Sequence, residues 1–291
     1  MSTVRTFSFD ALLPAEMAEM AEKSGVRKAN LDLASSFTLA VLAGAFIALG
    51  ALFSTPVVAG ASGSLTYGVT RLLAGAVFSL GLILVVVGGA ELFTGNNLIV
   101  MAWASRRVST GLLLRNWLVV YVGNFVGAVG TAILVYLGGQ HLFGDGAVGA
   151  AALATANTKT GLGFVQAVAL GTLCNTLVCL AVWLALSARS VADKVLAIVP
   201  PTAAFVAASF EHSIANMYFI PTGLFIKAGA PEGFWTQIGK TAADYPHLTW
   251  ERFVVGNLVP VTIGNIIGGA VLVGIVYWFV YLRGRQQAPA A

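Results

Sequence analysis

ELFTGN at residues 91–96 and EHSIAN at residues 211–216 share one pattern, a glutamate followed five positions later by an asparagine. Both stretches lie inside apolar sequence. An ionisable side chain at membrane depth is costly, so it is normally retained only where it faces a protein interior or a water-filled path. The same pattern in both halves of a hydrophobic chain therefore predicts a pore or a carrier.

The remainder of the sequence is typical of a bilayer-spanning protein. Hydrophobic residues make up 58% of the 291 residues and charged residues only 10%, whereas roughly 25% of a soluble domain is charged. Six apolar tracts reach the roughly 18 residues that a crossing needs; they cover residues 33–70, 72–90, 116–144, 160–188, 195–226 and 253–282. We expect an all-α membrane protein with six transmembrane helices, the second and fifth broken at the two glutamates.

The N-terminal segment differs from the rest, because it is rich in charge and has no apolar stretch that would form a cleavable signal peptide. Apolar residues recur at helical spacing between Pro14 and Gly25, with proline in the first turn and glycine as the stop. We expect a short amphipathic helix at the membrane face, which either packs on the bundle or gates it. The expected divisions are a cytoplasmic segment 1–32, a channel domain 33–285 and a tail 286–291.

The distribution of lysine and arginine predicts the orientation. Basic residues concentrate in the first 32 residues, in the connections at 105–115 and 189–194, and after residue 282. Six crossings place all of these on one side, and short cytoplasmic loops carry the excess of basic residues. We expect both termini in the cytoplasm, with the protein in the inner (plasma) membrane. The net charge of +4 follows from the same rule and gives no reason to expect nucleic acid.

The two halves also repeat each other outside the glutamate stretches. Asn116, Asn124 and Gly127 recur at the same spacing as Asn257, Asn265 and Gly268. Because each half has three crossings, an odd number, the two copies must have opposite orientations in the membrane. An inverted repeat places a transport site near the midplane, commonly on broken helices.

The residues around the two glutamates favour such breaks. Gly88, Gly89 and Gly95 weaken a helix, and the polar side chains around Glu211 can bond the backbone groups that a break frees. Half-helices that begin near Asn96 and Ser213 would point their positive ends at the site. A small anion is therefore the expected substrate.

Two glutamates on the path would repel an anion, which leaves two roles open for them. We interpret Glu91 and Glu211, together with Asn96 and Asn216, as stabilising the loops at the breaks. The alternative is a direct role in the permeation path.

His212 is the candidate for contacting the anion, because His141 and His247 fall in loops. An imidazole titrates near pH 6.5, so a small shift decides whether it donates a hydrogen bond or a proton. A structural donor in the core is the alternative. Thr94 and Asn175 are its expected polar neighbours.

The sequence contains no spaced His/Cys set, catalytic nucleophile or phosphate-binding glycine loop. We predict no enzyme, no catalytic residue, no metal site and no cofactor. Cys174 and Cys179 are five positions apart, on different faces of a helix, and are expected core residues. A structural or signalling protein would have no need of mirrored polar breaks, so a channel or secondary transporter is favoured.

Three longer runs resemble the formate/nitrite transporter family: GAELFTGN at 89–96, FEHSIANM at 210–217 and PVTIGNIIGG at 260–269. The resemblance covers nearly the whole chain and is greatest to the bacterial formate channels. It implies an aquaporin-like fold and a homopentamer in which every protomer has its own pore.

The resemblance also implies roles for single residues. Leu92 would plug the pore from a flexible loop at 91–94, and Thr94 would face His212. Four apolar residues would form the constrictions, with Asn175 near the cytoplasmic one; they are Phe78 and Phe205 toward the outside, and Leu82 and Val178 toward the inside. Lys28 and Lys159 would attract the anion into the vestibules.

The family mechanism implied is that a weak-acid anion takes a proton near His212 and passes the apolar constrictions as a neutral acid. Either the histidine or a water would supply the proton. Formate is the first candidate substrate and nitrite the second, because Gly95 is typical of the nitrite branch while formate channels often have a small hydroxyl residue there. Hydrosulfide, lactate and acetate are third.

Overall fold

The computed structural model describes residues 10–59, 61 and 64–284. These residues form helices and contain no strand. The expected tail 286–291 and the first nine residues of the N-terminal segment lie outside the described residues.

Helix α1, Pro14–Ala29, is longer than the sequence indicates. The expectation that Gly25 stops it is wrong. This glycine lies inside the helix because it packs closely: an added Cβ would be 3.1 Å from the Cβ of Ala102 and 3.3 Å from the Cα of Ile99. Met17 on the same helix is buried in a cluster with Trp183. The helix therefore packs against the membrane bundle.

Among the described residues, five continuous helices are long and apolar enough to cross a bilayer. They are α2 (Leu33–Ala59), α3 (Tyr67–Gly88), α6 (Thr110–Leu137), α8 (Phe164–Ser187) and the helix Arg252–Tyr281. The last comprises α12 (Val259–Ile266) and α13 (Val276–Tyr281) with π-helical stretches at Arg252–Leu258 and Ile267–Ile275. Apolar side chains such as Leu134 and Val165 are exposed on the outer surface. Such a surface suits hydrocarbon or a neighbouring protomer better than water.

The helical segment that begins with α3 is interrupted around Glu91. Helix α3 ends at Gly88, Gly89 takes a left-handed conformation with φ 81°, and the next helix, α4, begins at Phe93. A 3₁₀ turn then leads to α5, Val100–Ala104. Helix α4 begins three residues before the expected start at Asn96, because the amide of Phe93 is already capped by the side chain of Asn124.

A similar interruption lies around Glu211. Helices α9 (Val191–Ala207) and α10 (Ser213–Gly229) are each 17 residues long and are separated by residues 208–212. Ser209, in the interruption, has φ 58°. The start of α10 agrees with the expected position.

The remaining helices complete the chain: α7 is Ala147–Thr160 and α11 is Glu232–Ile238, with 3₁₀ turns at Gln140–Leu142 and Ala242–Asp244. Glycines allow the long helices to approach closely. A Cβ on Gly127 would overlap the carbonyl oxygen of Val41, and one on Gly268 that of Thr172. Helices α2 and α6, and α8 and the last helix, are therefore in backbone contact.

Candidate functional site

Glu91 belongs to a closed network of four side chains. The Nζ of Lys28 is 2.7 Å from Oε1 of Glu91, and the Nδ2 of Asn96 donates to Oε2 of Glu91 at 2.7 Å. The same Nδ2 donates to Oδ1 of Asn116 at 3.0 Å. The amide of Asn116 closes the ring by donating to the carbonyl oxygen of Lys28 at 3.2 Å. The network joins α1, the interruption, α4 and α6.

The network around Glu211 has the same connections. The Nζ of Lys159 is 2.7 Å from Oε1 of Glu211, and the Nδ2 of Asn216 donates to Oε2 of Glu211 at 2.7 Å. Asn216 also donates to Oδ1 of Asn257 at 2.8 Å, and Asn257 donates to the carbonyl oxygen of Lys159 at 2.9 Å. Each lysine of the predicted vestibules is thus paired with a glutamate of a predicted loop, and the two predicted groups form one unit.

Two further asparagines hold the backbone of the interruptions. Asn124 donates to the carbonyl oxygen of Glu91 at 2.9 Å and accepts from the amide of Phe93 at 2.9 Å. Asn265 does the same for Glu211 and Ser213, at 3.0 Å in each case. The interruptions leave some backbone groups without helical hydrogen bonds. The two asparagines bond these groups inside the protein, as buried polar groups require.

The two networks differ in two hydrogen bonds. Asn257 also donates to Oε2 of Glu211 at 3.3 Å, and the described Glu91 network has no counterpart of this bond. The Nζ of Lys28 donates to Oδ1 of Asn96 at 3.1 Å as well as to Glu91. The corresponding Oδ1 of Asn216 is buried and has no partner among the described residues. Lys159 instead lies over the ring of Phe219, 5.6 Å from its centroid. Its ammonium group thus depends more heavily on one carboxylate.

Thr94 and His212 meet between the two networks. The Oγ1 of Thr94 is 2.9 Å from Nε2 of His212, and both residues are buried. The Nδ1 of His212 lies 3.1 Å from the backbone amide of Ala215, for which it is the acceptor at the start of α10. An amide can only donate, so Nδ1 carries no proton and the neutral imidazole has its proton on Nε2. His212 then donates to Thr94.

A cavity of about 530 Å³, here called the Lys159 cavity, reaches His212 from one side. Its lining includes Lys159, Glu211 and the rings of Phe78 and Phe205. The two rings meet edge to face with centroids 5.7 Å apart, and that of Phe205 stacks 6.0 Å from the imidazole. Both residues predicted for the outer constriction therefore line this cavity, with Phe205 next to His212.

A second cavity of about 250 Å³, here called the Lys28 cavity, is lined by Lys28, Glu91, Leu82, Leu92 and Gly95 among others. Within the described part of the chain the two cavities have no lining residue in common. The Thr94 side chain belongs to neither lining and bonds to His212, which lines the Lys159 cavity. Gly95, which follows Thr94 in sequence, lines the Lys28 cavity, so the contact joins the lining of one cavity to that of the other.

Asn175 and Val178 are placed differently from the other predicted path residues. Both are buried, and neither is among the described residues that line the two cavities. The Nδ2 of Asn175 donates to the carbonyl oxygens of Asn265 and Thr94, at 2.7 and 3.3 Å. Asn175 therefore holds the backbone of Thr94.

Several residues have positions in the site that the sequence pattern does not indicate. Asn116 and Asn257 complete the networks, and their equal positions in the two halves were the available signal. Arg71 lines the Lys159 cavity, and Arg27 and Lys194 line the Lys28 cavity. These three were seen only as charges in the orientation pattern.

Apolar membrane-spanning helices, two polar interruptions and two cavities whose linings are joined through one threonine–histidine contact define a membrane transport protein. The family model described as Formate/nitrite transporter matches residues 15–279, and the chain belongs to this family. Its members are transporters, which agrees with the prediction that the chain is not an enzyme.

Relatives cover nearly the whole chain. Formate channel FocA of Escherichia coli (strain K12) is 49% identical over 279 residues, which are 96% of this chain and 98% of the relative. Formate channel FocA of Haemophilus influenzae is 42% identical, over 91% and 93% of the two chains. The expected resemblance to bacterial formate channels is confirmed.

Solved structures agree with the fold. A structure described as a pentameric formate channel with formate bound has a TM-score of 0.82 and 47% identity, and the match covers 86% of this chain and 98% of that chain. A second, described as an FNT family ion channel, has a TM-score of 0.76 and 29% identity, over 91% and 98%. The chain therefore has the fold of this channel family.

Proposed function

We propose that this protein is a membrane channel for small monovalent weak-acid anions, with formate as the first candidate. The contact between Thr94 and His212, which joins the linings of the two cavities, is the observation that carries the proposal. The similarity to FocA relatives and to a structure with formate bound supports the choice of anion.

The proposed architecture has six crossings arranged as two inverted three-helix repeats, with the second and fifth helices broken. The equivalent networks of Glu91 and Glu211 support the repeat. In the proposed assembly, five identical protomers each have their own pore, as the pentameric structural relative suggests. The basic residues support placing both termini in the cytoplasm and the protein in the inner membrane. Its partners are then the lipid bilayer, four further copies and the anion.

The proposed path leads from the Lys159 cavity past Phe78 and Phe205 to His212, and then past Leu92 and Leu82 into the Lys28 cavity. A bare anion in such narrow apolar surroundings would lose most of its hydration, at a cost of several kcal/mol. The neutral acid avoids most of this cost. Protonation before the constriction would therefore make the path passable.

The hydrogen bonds of His212 favour water as the source of the proton. The neutral imidazole has one proton, on Nε2, and its loss would leave an imidazolate, which is inaccessible near neutral pH. Donation as an acid would require an imidazolium with a second proton on Nδ1, and this would break the bond from the amide of Ala215. In the proposed mechanism His212 donates its Nε2 hydrogen bond to the anion in place of Thr94. A hydronium ion from the bulk, relayed by water in the Lys159 cavity, transfers its proton to the anion and becomes water.

Nitrite remains the second candidate because of Gly95. An added Cβ there would be 3.6 Å from Cγ2 of Val182, an ordinary contact, so a side chain can begin there without overlap. Its absence is therefore not forced by packing. Hydrosulfide, lactate and acetate are the remaining alternatives.

Flux into proteoliposomes that contain the purified protein tests the proposal. Formate and nitrite are compared at pH 5 and pH 7 against protein-free liposomes. Formate uptake that exceeds nitrite uptake and rises at pH 5 is the expected result. Nitrite-dominant uptake would reverse the order of the candidates, and no uptake of either anion above the liposome control would refute the proposal.

A further inference from the structure

Building on the proposed anion transport, we infer that Arg71 carries the unbalanced positive charge that draws anions into the Lys159 cavity. The charged residues in the described lining of this cavity are Arg71, Lys159 and Glu211. The inference depends on how these three charges are distributed among their neighbours.

Lys159 and Glu211 largely cancel each other's charge. Their Nζ and Oε1 atoms are 2.7 Å apart, and the two side chains are only 15% and 4% exposed. At distances longer than this separation the pair acts as a dipole, whose field falls off faster than that of a single charge. The lysine assigned to the vestibule is therefore a weak source of long-range attraction.

Arg71 lacks such a partner within the part of the chain that the structure describes. None of the ion pairs among the described residues includes it. Its Nη2 donates to the carbonyl oxygen of Val206, in the last turn of α9, and its Nε is buried without a hydrogen-bond partner. The carbonyl end of a helix carries only about half a negative charge. It holds the guanidinium in position and leaves a net positive charge.

The consequence is a cavity with one excess positive charge when His212 is neutral. Low-dielectric walls focus such a field and raise the local concentration of counter-ions. A guanidinium also presents its N–H groups in a planar fork that matches a carboxylate or another small oxyanion. Arg71 is thus placed to act before the anion reaches His212.

The potential in the cavity can be measured independently of transport. A cysteine at Ala208, which lines the cavity two residues beyond Val206, is reacted with anionic and with cationic thiol reagents. The natural Cys174 and Cys179 are fully buried. We expect Arg71→Gln to lower the ratio of anionic to cationic reaction rates about fivefold, the order that one charge produces at roughly 8 Å in a water-like medium. Lys240→Gln, an exposed residue outside the cavity lining, should leave the ratio unchanged.

A second pair of variants leaves Arg71 in place, which matters if Arg71→Gln fails to assemble. Ser209 lines the cavity and has φ 58°, which aspartate and asparagine tolerate. Ser209→Asp should lower the same ratio, while the neutral and nearly isosteric Ser209→Asn should not. The Ser209 pair shows that the ratio reports the charge of the cavity. An unchanged ratio in Arg71→Gln, or, if Arg71→Gln does not assemble, a ratio at the Ala208 cysteine no higher than that of free cysteine, would overturn the inference.

Flux at low and high ionic strength tests the consequence for transport. We expect Arg71→Gln to reduce anion uptake at low salt and to weaken its dependence on salt, while Arg71→Lys retains both. An equal loss of uptake in the two variants would indicate that Arg71 only stabilises the position of α9, and would overturn the inference. If the wild-type protein transports neither formate nor nitrite, the thiol reactivity still tests the charge of the cavity, so the two failures are distinguishable.

Discussion

The two networks predict unequal effects of removing their glutamates. We expect Glu211→Ala to destabilise the folded protein more than Glu91→Ala. Glu211 accepts hydrogen bonds from three side chains, those of Lys159, Asn216 and Asn257. In the described structure Glu91 accepts hydrogen bonds from two, those of Lys28 and Asn96.

The magnitude follows from what remains after each change. Removing one partner of a buried ion pair costs about 3–5 kcal/mol, because the other charge stays buried. Lys28 keeps an acceptor in Glu91→Ala, the Oδ1 of Asn96 at 3.1 Å, and its side chain is 25% exposed. Lys159 has no second side-chain acceptor in the described structure and is 15% exposed. One hydrogen bond to a charged group is worth roughly 1.5–3 kcal/mol, so we expect the variants to differ by about 2 kcal/mol.

The assay is the fraction of detergent-purified protein that keeps its assembled elution volume after heating, measured over a temperature series. Glu211→Ala should lose assembly at a lower temperature than Glu91→Ala, by several degrees on the usual scaling for a chain of this size. The double variant Glu211→Ala/Lys159→Met should recover part of the loss, because no unpaired charge remains. Equal loss in the two single variants, or greater loss for Glu91→Ala, would refute the reasoning. A well-folded Glu211→Ala with an altered preference between formate and nitrite would contradict the structural role itself.

Three further predictions concern the path and the packing. His212→Phe should abolish proton-linked uptake and leave the assembly intact. His212→Asn, which can both accept and donate a hydrogen bond, should keep part of the flux. Undiminished pH-dependent flux in His212→Phe would exclude the proposed role of His212. Leu92→Ala should raise formate flux in liposomes and weaken the discrimination against larger anions, and unchanged values for both would contradict a plug. Gly127→Ala should lower the thermal stability, because its Cβ would overlap the carbonyl oxygen of Val41. The control Gly130→Ala, whose Cβ would meet no described atom within 4 Å, should be neutral or stabilising by up to about 1 kcal/mol. Equal melting temperatures of the two variants would show that the contact at Gly127 is not tight.

The sequence predicted the helical membrane class and the importance of Glu91 and Glu211, because charge inside apolar sequence is a local signal. It did not predict that Lys28 and Lys159 are the partners of these glutamates. Lys28 and Glu91 are 63 positions apart, and a pairing over such a distance is decided by how helices pack. For the same reason the end of α1 was misplaced: Gly25 was interpreted by its conformational freedom, while its actual role is to let the helix approach Ala102.

The most informative positions are those at which the two similar stretches differ. Glu91 and Asn96 match Glu211 and Asn216 in sequence and in hydrogen bonding. The residue after each glutamate differs, yet both occupy the position that precedes a helix: Leu92 precedes α4 and makes no side-chain cap, and His212 caps α10 through Nδ1.

A cap made by Nδ1 orients the imidazole so that Nε2 faces Thr94. Thr94 corresponds to Ile214 in the other stretch, so the hydroxyl that meets the imidazole also occurs in one copy only. The shared residues thus build two similar interruptions, and the unshared ones give the first Leu92 and Thr94 and the second His212 and Ile214. A strictly symmetric pair would place either two leucines or two histidines there. Only the unequal pair combines an apolar side chain with an imidazole donor, which is the combination that the proposed path for a neutralised weak acid requires.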